Sequence, residues 1–126
     1  MSEVTKKDEK LEALTQLVVE AIEDKKAQDV LVLDVRGQCA FTDRFVVATG
    51  RTDRQLKAIA QSVAEAGHKV GLTAGIEGLE AMEWLLVDLG DVVVHLFLPE
   101  VRSEFQFERL WSRPDEQSTD EEISQG

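Results

Sequence analysis

The stretch Trp84-Leu85-Leu86-Val87-Asp88-Leu89-Gly90-Asp91-Val92-Val93-Val94-His95-Leu96-Phe97 decides the fold. Two apolar runs separated by a Gly-containing pair read as a tight β-hairpin with Leu89-Gly90 as its two-residue loop, and Pro99 stops the second strand. Successive strand residues face opposite ways, so Leu85, Val87, Val92, Val94 and Leu96 share one aliphatic side suited to a core. The other side collects Trp84, Leu86, Asp88, Asp91, Val93, His95 and Phe97. This register sets Asp88 opposite Asp91, Leu86 opposite Val93 and Trp84 opposite His95. Like charges directly opposite each other destabilise a hairpin, a cost that makes sense where both carboxylates meet water or a basic partner. Two readings fit: a second helix-covered face with aspartates at a turn, or a partner-binding face with an aromatic anchor and a carboxylate rim.

Outward from the hairpin, the pattern is that of an α/β layer fold. Residues 8–25 place Leu11, Leu14, Leu17, Val18, Ala21 and Ile22 on one helical stripe, with Thr5 and Asp8 spaced as a capping box. The nearly continuous aliphatic run Val30–Val35 suits a strand covered on both faces. A loop from Arg36 to Arg44 leads to a second strand, Phe45–Ala48, ended by Thr49-Gly50. A second helix is expected from Thr52 to about Ala66, capped by Thr52 and Gln55 and terminated by a left-handed Gly67. The glycine-rich residues 70–79 leave room only for a short or irregular strand, and Glu104–Trp111 reads as a short terminal helix.

The 126 residues are enough for one domain and one core, not for two. With 25 Asp+Glu against 14 Lys+Arg the net charge is −11, which repels phosphate backbones. Direct nucleic-acid binding is therefore disfavoured, and a basic protein is the natural partner. Residues 112–126 hold five acids against one arginine and read as a disordered acidic tail behind a folded domain of residues 1–111. The single cysteine, Cys39, excludes an internal disulfide and a multi-cysteine metal site. No apolar stretch of signal-peptide or membrane-spanning type is present, which points to a soluble, cytoplasmic chain with no membrane partner.

Catalytic constellations are weak. Asp34, Asp43, Asp88, Asp91 and His95 could be imagined around a metal for phosphoryl transfer, but no Asp-x-Asp, His-x-x-x-His or GxxxxGK[ST] spacing supports it. Gly50-Arg51-Thr52 before a helix could hold a phosphate, yet strand, glycine, cap and helix is also ordinary α/β punctuation. Cys39 reads as an inert thiol and His68 as a helix-end dipole partner. No catalytic residue, metal site or cofactor is assigned.

Several segments together resemble the Iojap family, whose bacterial members are ribosomal silencing factors. They are Asp29–Val35, Thr42–Gly50, Arg54-Gln55 with Ala58-Ile59-Ala60, Glu77-Gly78, Trp84–His95, and Arg102 with Glu108-Arg109-Leu110-Trp111. They span residues 29–111, and the WxLxDxGDxxVH register is far more specific than a glycine motif. Phe105 and Phe107 stand where the family usually has tyrosine and leucine, which keeps apolar bulk and loses a hydroxyl. The resemblance implies a single α/β domain, a mixed β-sheet flanked by helices, nucleotidyltransferase-like without the catalytic site. It implies binding to the large ribosomal subunit through ribosomal protein L fourteen and steric exclusion of the small subunit when nutrients are short. Organellar relatives are linked to large-subunit assembly. Carried over by position, the contact candidates are Trp84 as anchor, Leu89 at the exposed tip, Gly90, His95, and Asp88 and Asp91 pairing with partner Lys or Arg. The motif's Arg44 and Thr42-Asp43 read as loop-fixing hydrogen bonds. The apolar second face would also allow a homodimer of the free chain.

Overall fold

The computed structural model describes residues 6–105, so the Thr5 cap, the segment 106–111 and the tail 112–126 lie outside the described residues. Helix α1 spans Lys6–Asp24 and is followed by strands β1 (Gln28–Asp34) and β2 (Arg44–Thr49), then helix α2 (Asp53–Lys69). Strands β3 (Gly75–Glu77), β4 (Trp84–Asp88) and β5 (Val92–Phe97) and helix α3 (Pro99–Phe105) complete the order. The five strands form one mixed sheet ordered β1-β2-β5-β4-β3. Among the described residues only the pair β2 and β5 is parallel.

Strands β2 and β5 are buried throughout. On one face α1 and α2 pack Leu11, Val18, Ile22, Leu56, Ile59 and Val63 against Val46, Leu85, Val87, Val92, Val94 and Leu96. The aliphatic side expected of the hairpin is thus the core side. The opposite face carries a smaller cluster of Val35, Phe45, Val47, Val93 and Phe97, with Val101 of α3 packed against it. Helices therefore lie on both faces of the sheet.

The α2 cap is as expected: the Thr52 hydroxyl accepts from the Gln55 amide at 3.0 Å, and Gln55 Oε1 accepts from the Arg51 amide at 2.7 Å. Gln55 Nε2 also donates to the carbonyls of Lys25 and Lys26, both at 3.1 Å, tying the α1–β1 connection to the start of α2.

Three expectations are corrected. The run Val30–Val35 forms an edge strand: Val30 leans on the helix-side cluster and Leu31 and Leu33 on the other, but Val32 is 43% exposed. A continuous aliphatic run records contact on both faces, not full cover. Gly67 does not end α2, which continues to Lys69 with left-handed Gly71 beyond it. A Cβ at Gly67 would stand 2.7 Å from Leu89 Cδ2, so that glycine is a notch for a core side chain. Lastly, the terminal helix begins at Pro99, where a fixed φ and a missing N–H suit a first helical turn.

Candidate functional site

The hairpin turns one residue later than its sequence suggests. The register pairs Asp88 with Val93, Leu86 with His95 and Trp84 with Phe97, so Leu89 faces Val92 across a Gly90-Asp91 loop. The Leu89 amide donates to the Val92 carbonyl at 3.0 Å. Gly90 has φ +92°, as the first loop residue of a mirror-image turn requires. A Leu89-Gly90 loop would have forced that conformation on a leucine. Leu89 instead continues the series Leu85, Val87 into the core and is 4% exposed. The expected exposed tip is thereby overturned, and Asp88 no longer stands opposite Asp91.

The displacement moves pairs along the strands without exchanging faces. Trp84, Leu86, Asp88, Val93, His95 and Phe97 share the second side, because paired residues point the same way. Asp88 is exposed, and its Oδ1 accepts from the Gly90 amide at 2.8 Å. Asp91 is exposed at the loop, and its carbonyl accepts from the amides of Asp43 and Arg44 at 3.2 and 3.1 Å. Asp43 thus fixes the loop through main chain, whereas the buried Thr42 Oγ1 makes no hydrogen bond and the buried Arg44 side chain pairs with Glu12 of α1 at 2.7 Å.

Trp84 is 38% exposed, and its Nε1–H donates to His95 Nδ1 at 3.1 Å. His95 is buried, and that burial pushes its pKa down to about 4, so the ring is neutral with Nδ1 as acceptor. Phe45 meets the imidazole edge-on at 4.5 Å between centroids, and Phe97 lies 5.0 Å from the Trp84 ring. The indole is held from within while part of it faces outward.

Pairing across the sheet brings in a residue not singled out from the sequence. Glu77 of β3 pairs with Leu86, so its carboxylate joins the second face beside Trp84. Its only sequence signal was the Glu77-Gly78 dipeptide, whose neighbourhood with Trp84 depends on pairing. The other candidates are dispersed. Asp34 binds Arg36 through Nε at 3.2 Å and Nη2 at 2.8 Å, and these bonds lower its pKa. Among the described residues no group of three or more His, Cys, Asp or Glu could hold a metal ion. The Gly50 amide donates to the Phe97 carbonyl, and the Arg51 and Gln55 amides are engaged by the cap. Among the described residues no helix is long and apolar enough to cross a membrane.

Comparison with known proteins gives a consistent answer. Residues 8–125 match the family described as ribosomal silencing factor during starvation. The chain is 39% identical over 115 residues to a ribosomal silencing factor of Zymomonas mobilis, covering 90% of this chain and 85% of the relative. It is 31% identical over 113 residues to the mouse protein named mitochondrial assembly of ribosomal large subunit protein 1, covering 86% of this chain and 48% of that one. A crystal structure of a Chromobacterium violaceum protein is similar with a TM-score of 0.77 at 42% identity, covering 82% of this chain and 89% of that one.

Proposed function

Because the chain belongs to the ribosomal silencing factor family, we propose that it binds the large ribosomal subunit in the cytoplasm and blocks joining of the small subunit without catalysis. The docking site is ribosomal protein L fourteen, and the effect is repression of translation when nutrients are limiting. The observation that carries this reading is the second sheet face, where a partly exposed, internally held Trp84 stands among carboxylates on a chain of net charge −11. An aromatic anchor with a charged rim is the usual anatomy of a binding hot spot, and the acidic surface suits a basic ribosomal protein. Trp84 is the anchor, and Asp88 and Asp91 pair with Lys or Arg on the partner. Leu89, Gly90 and His95 serve the contact indirectly by setting the turn and the indole. The same face is available to a second copy of the free chain, so dimer and ribosome contact compete.

Co-sedimentation of the purified chain with isolated large subunits, with and without small subunits, tests this. Recovery with the large subunit and a reduced yield of joined ribosomes is expected. Asp88→Asn keeps the acceptor for the Gly90 amide and removes the charge, so it should weaken recovery with an unchanged thermal midpoint. Full joining in the presence of saturating protein would defeat the silencing mechanism. The name of the mouse relative supports a second reading, a large-subunit assembly factor that leaves before translation. A deletion strain separates the two: accumulated precursor particles indicate assembly, and excess translation during starvation indicates silencing.

A further inference from the structure

Strand β1 is one end of the sheet, and among the described residues it pairs with β2 alone. The direction of its main-chain groups follows from a single bond. The Val35 amide donates to the Asp43 carbonyl at 3.0 Å, so residue 35 turns its N–H and C=O toward the β2 side. Along an extended strand these groups alternate in direction from one residue to the next. Leu31 and Leu33 therefore face β2, and the main-chain groups of Val32 and Asp34 point outward. Natural proteins guard such edges with charge, proline, bulges or brevity. On β1 the guards stand only at the ends: Asp29, with φ +54° beside the irregular register between Gln28 and Leu31, and Asp34. Between them Val30-Leu31-Val32-Leu33 is wholly aliphatic, with Val32 exposed and the other three only partly buried.

The two sides of this edge differ in chemistry. Leu31 and Leu33 lean on the smaller cluster and offer apolar surface. Val32 and Asp34 point to the helix side, where Asp34 and Glu12 both face the guanidinium of Arg44, at 3.8 and 2.7 Å. The Arg44 side chain is only 7% exposed, whereas the two carboxylates are 48% and 68% exposed. Asp8 and Arg36, 3.0 Å apart, add one charge of each sign, so the cluster turns mostly its acids toward water. A second copy would bring the same acids and a further net charge of −11 to this edge. A basic chain meets an attractive field instead. We propose that the outer edge of β1 takes up an extended segment of a basic protein as an added strand, with aliphatic side chains over Leu31 and Leu33 alternating with Lys or Arg beside Asp34 and Glu12. Strands β1 and β4 are separated in the sheet by β2 and β5, so this contact is distinct from the one assigned to Trp84 and stands or falls without it.

Amide exchange and chemical shifts of the isotopically labelled full chain test it, with acetyl-Lys-Val-Lys-Val-Lys-Val-Lys-amide as the probe. In the free chain the Leu31 and Leu33 amides should be protected, and those of Val32 and Asp34 should exchange quickly. Saturating peptide should shift the Val32 and Asp34 amides and slow their exchange by about tenfold or more. The counterpart with glutamate in place of lysine should do much less. Val32→Pro removes an outward N–H and no ladder bond, a place where an edge strand tolerates proline, and should abolish the response. Val32→Lys sets a like charge against the peptide and should weaken the response several-fold. Loss or weakening in a variant that keeps the wild-type thermal midpoint supports the edge. Shifts confined to other residues, no shift, equal response to both peptides, or an unaltered response in a folded variant overturns it. Protection of Val32 and Asp34 without peptide overturns it too: protection that grows with protein concentration makes a second copy the occupant, and protection that does not means the chain covers its own edge.

Discussion

Leu89 and Asp88 are chain neighbours with opposite roles: one fills the notch at Gly67, the other points outward and braces the turn. Leu89→Ala should lower the unfolding free energy by about 2–4 kcal/mol in urea titration, as expected for a buried leucine whose neighbours cannot fully collapse. For the strand residues 84–88 and 92–97 the facing was readable in advance, because alternation survives any even displacement of register, whereas Leu89, expected at the exposed tip, points into the core. Where the turn sits was not readable, since that depends on which residue tolerates positive φ while leucine seeks the core. His95 supplies a pH signature. Above about pH 6.5 its ring is neutral in the folded and the unfolded chain alike. As pH falls, the unfolded chain takes up a proton that the folded chain, with a pKa of about 4, refuses. Stability should therefore be lost progressively between about pH 6.5 and 4, by up to about 3 kcal/mol, and His95→Gln should remove that share of the pH dependence.

Among the elements, α2 is the one whose sequence spoke most plainly, because a cap is local: Thr52 and Gln55 sit three residues apart and bond each other wherever the helix is placed. The further bonds of Gln55 to Lys25 and Lys26 were hidden, since they span about thirty residues and require the fold. Gln55→Ala should cost about 1–2 kcal/mol, more than a cap alone, and should speed amide exchange around residues 25–27 before it affects β5. Arg102 likewise could not be interpreted from its position. Its Nη1 donates to the Asp29 carbonyl at 2.6 Å and to Thr49 Oγ1 at 2.8 Å, pinning α3 to the irregular start of β1 and the end of β2. Glu77 reached the candidate site by the same non-local route, through a strand of three residues.

At the scale of the whole molecule, docking as proposed sets the charge of −11 against two opposing fields, a basic protein that attracts it and ribosomal phosphates that repel it. Association with isolated ribosomal protein L fourteen should slow by roughly tenfold or more as salt rises from about 0.01 to 0.15 M. Association with the intact subunit should be much less salt-sensitive, because screening also relieves the repulsion; stopped-flow rates on both targets measure the difference. The central parallel pair has a consequence in time. Strand β2 gains its inner neighbour only when β5 is complete, and the Gly50 amide waits for the carbonyl of Phe97. Contacts so distant along the chain make folding slow and late, with little rewarded before the far segment arrives. During synthesis, a nascent chain not yet extended to Phe97 has neither a closed core nor the row that joins Glu77, Leu86 and His95. If the second face docks as proposed, an unfinished copy cannot dock on the ribosome that is making it, and silencing begins only with the finished sheet.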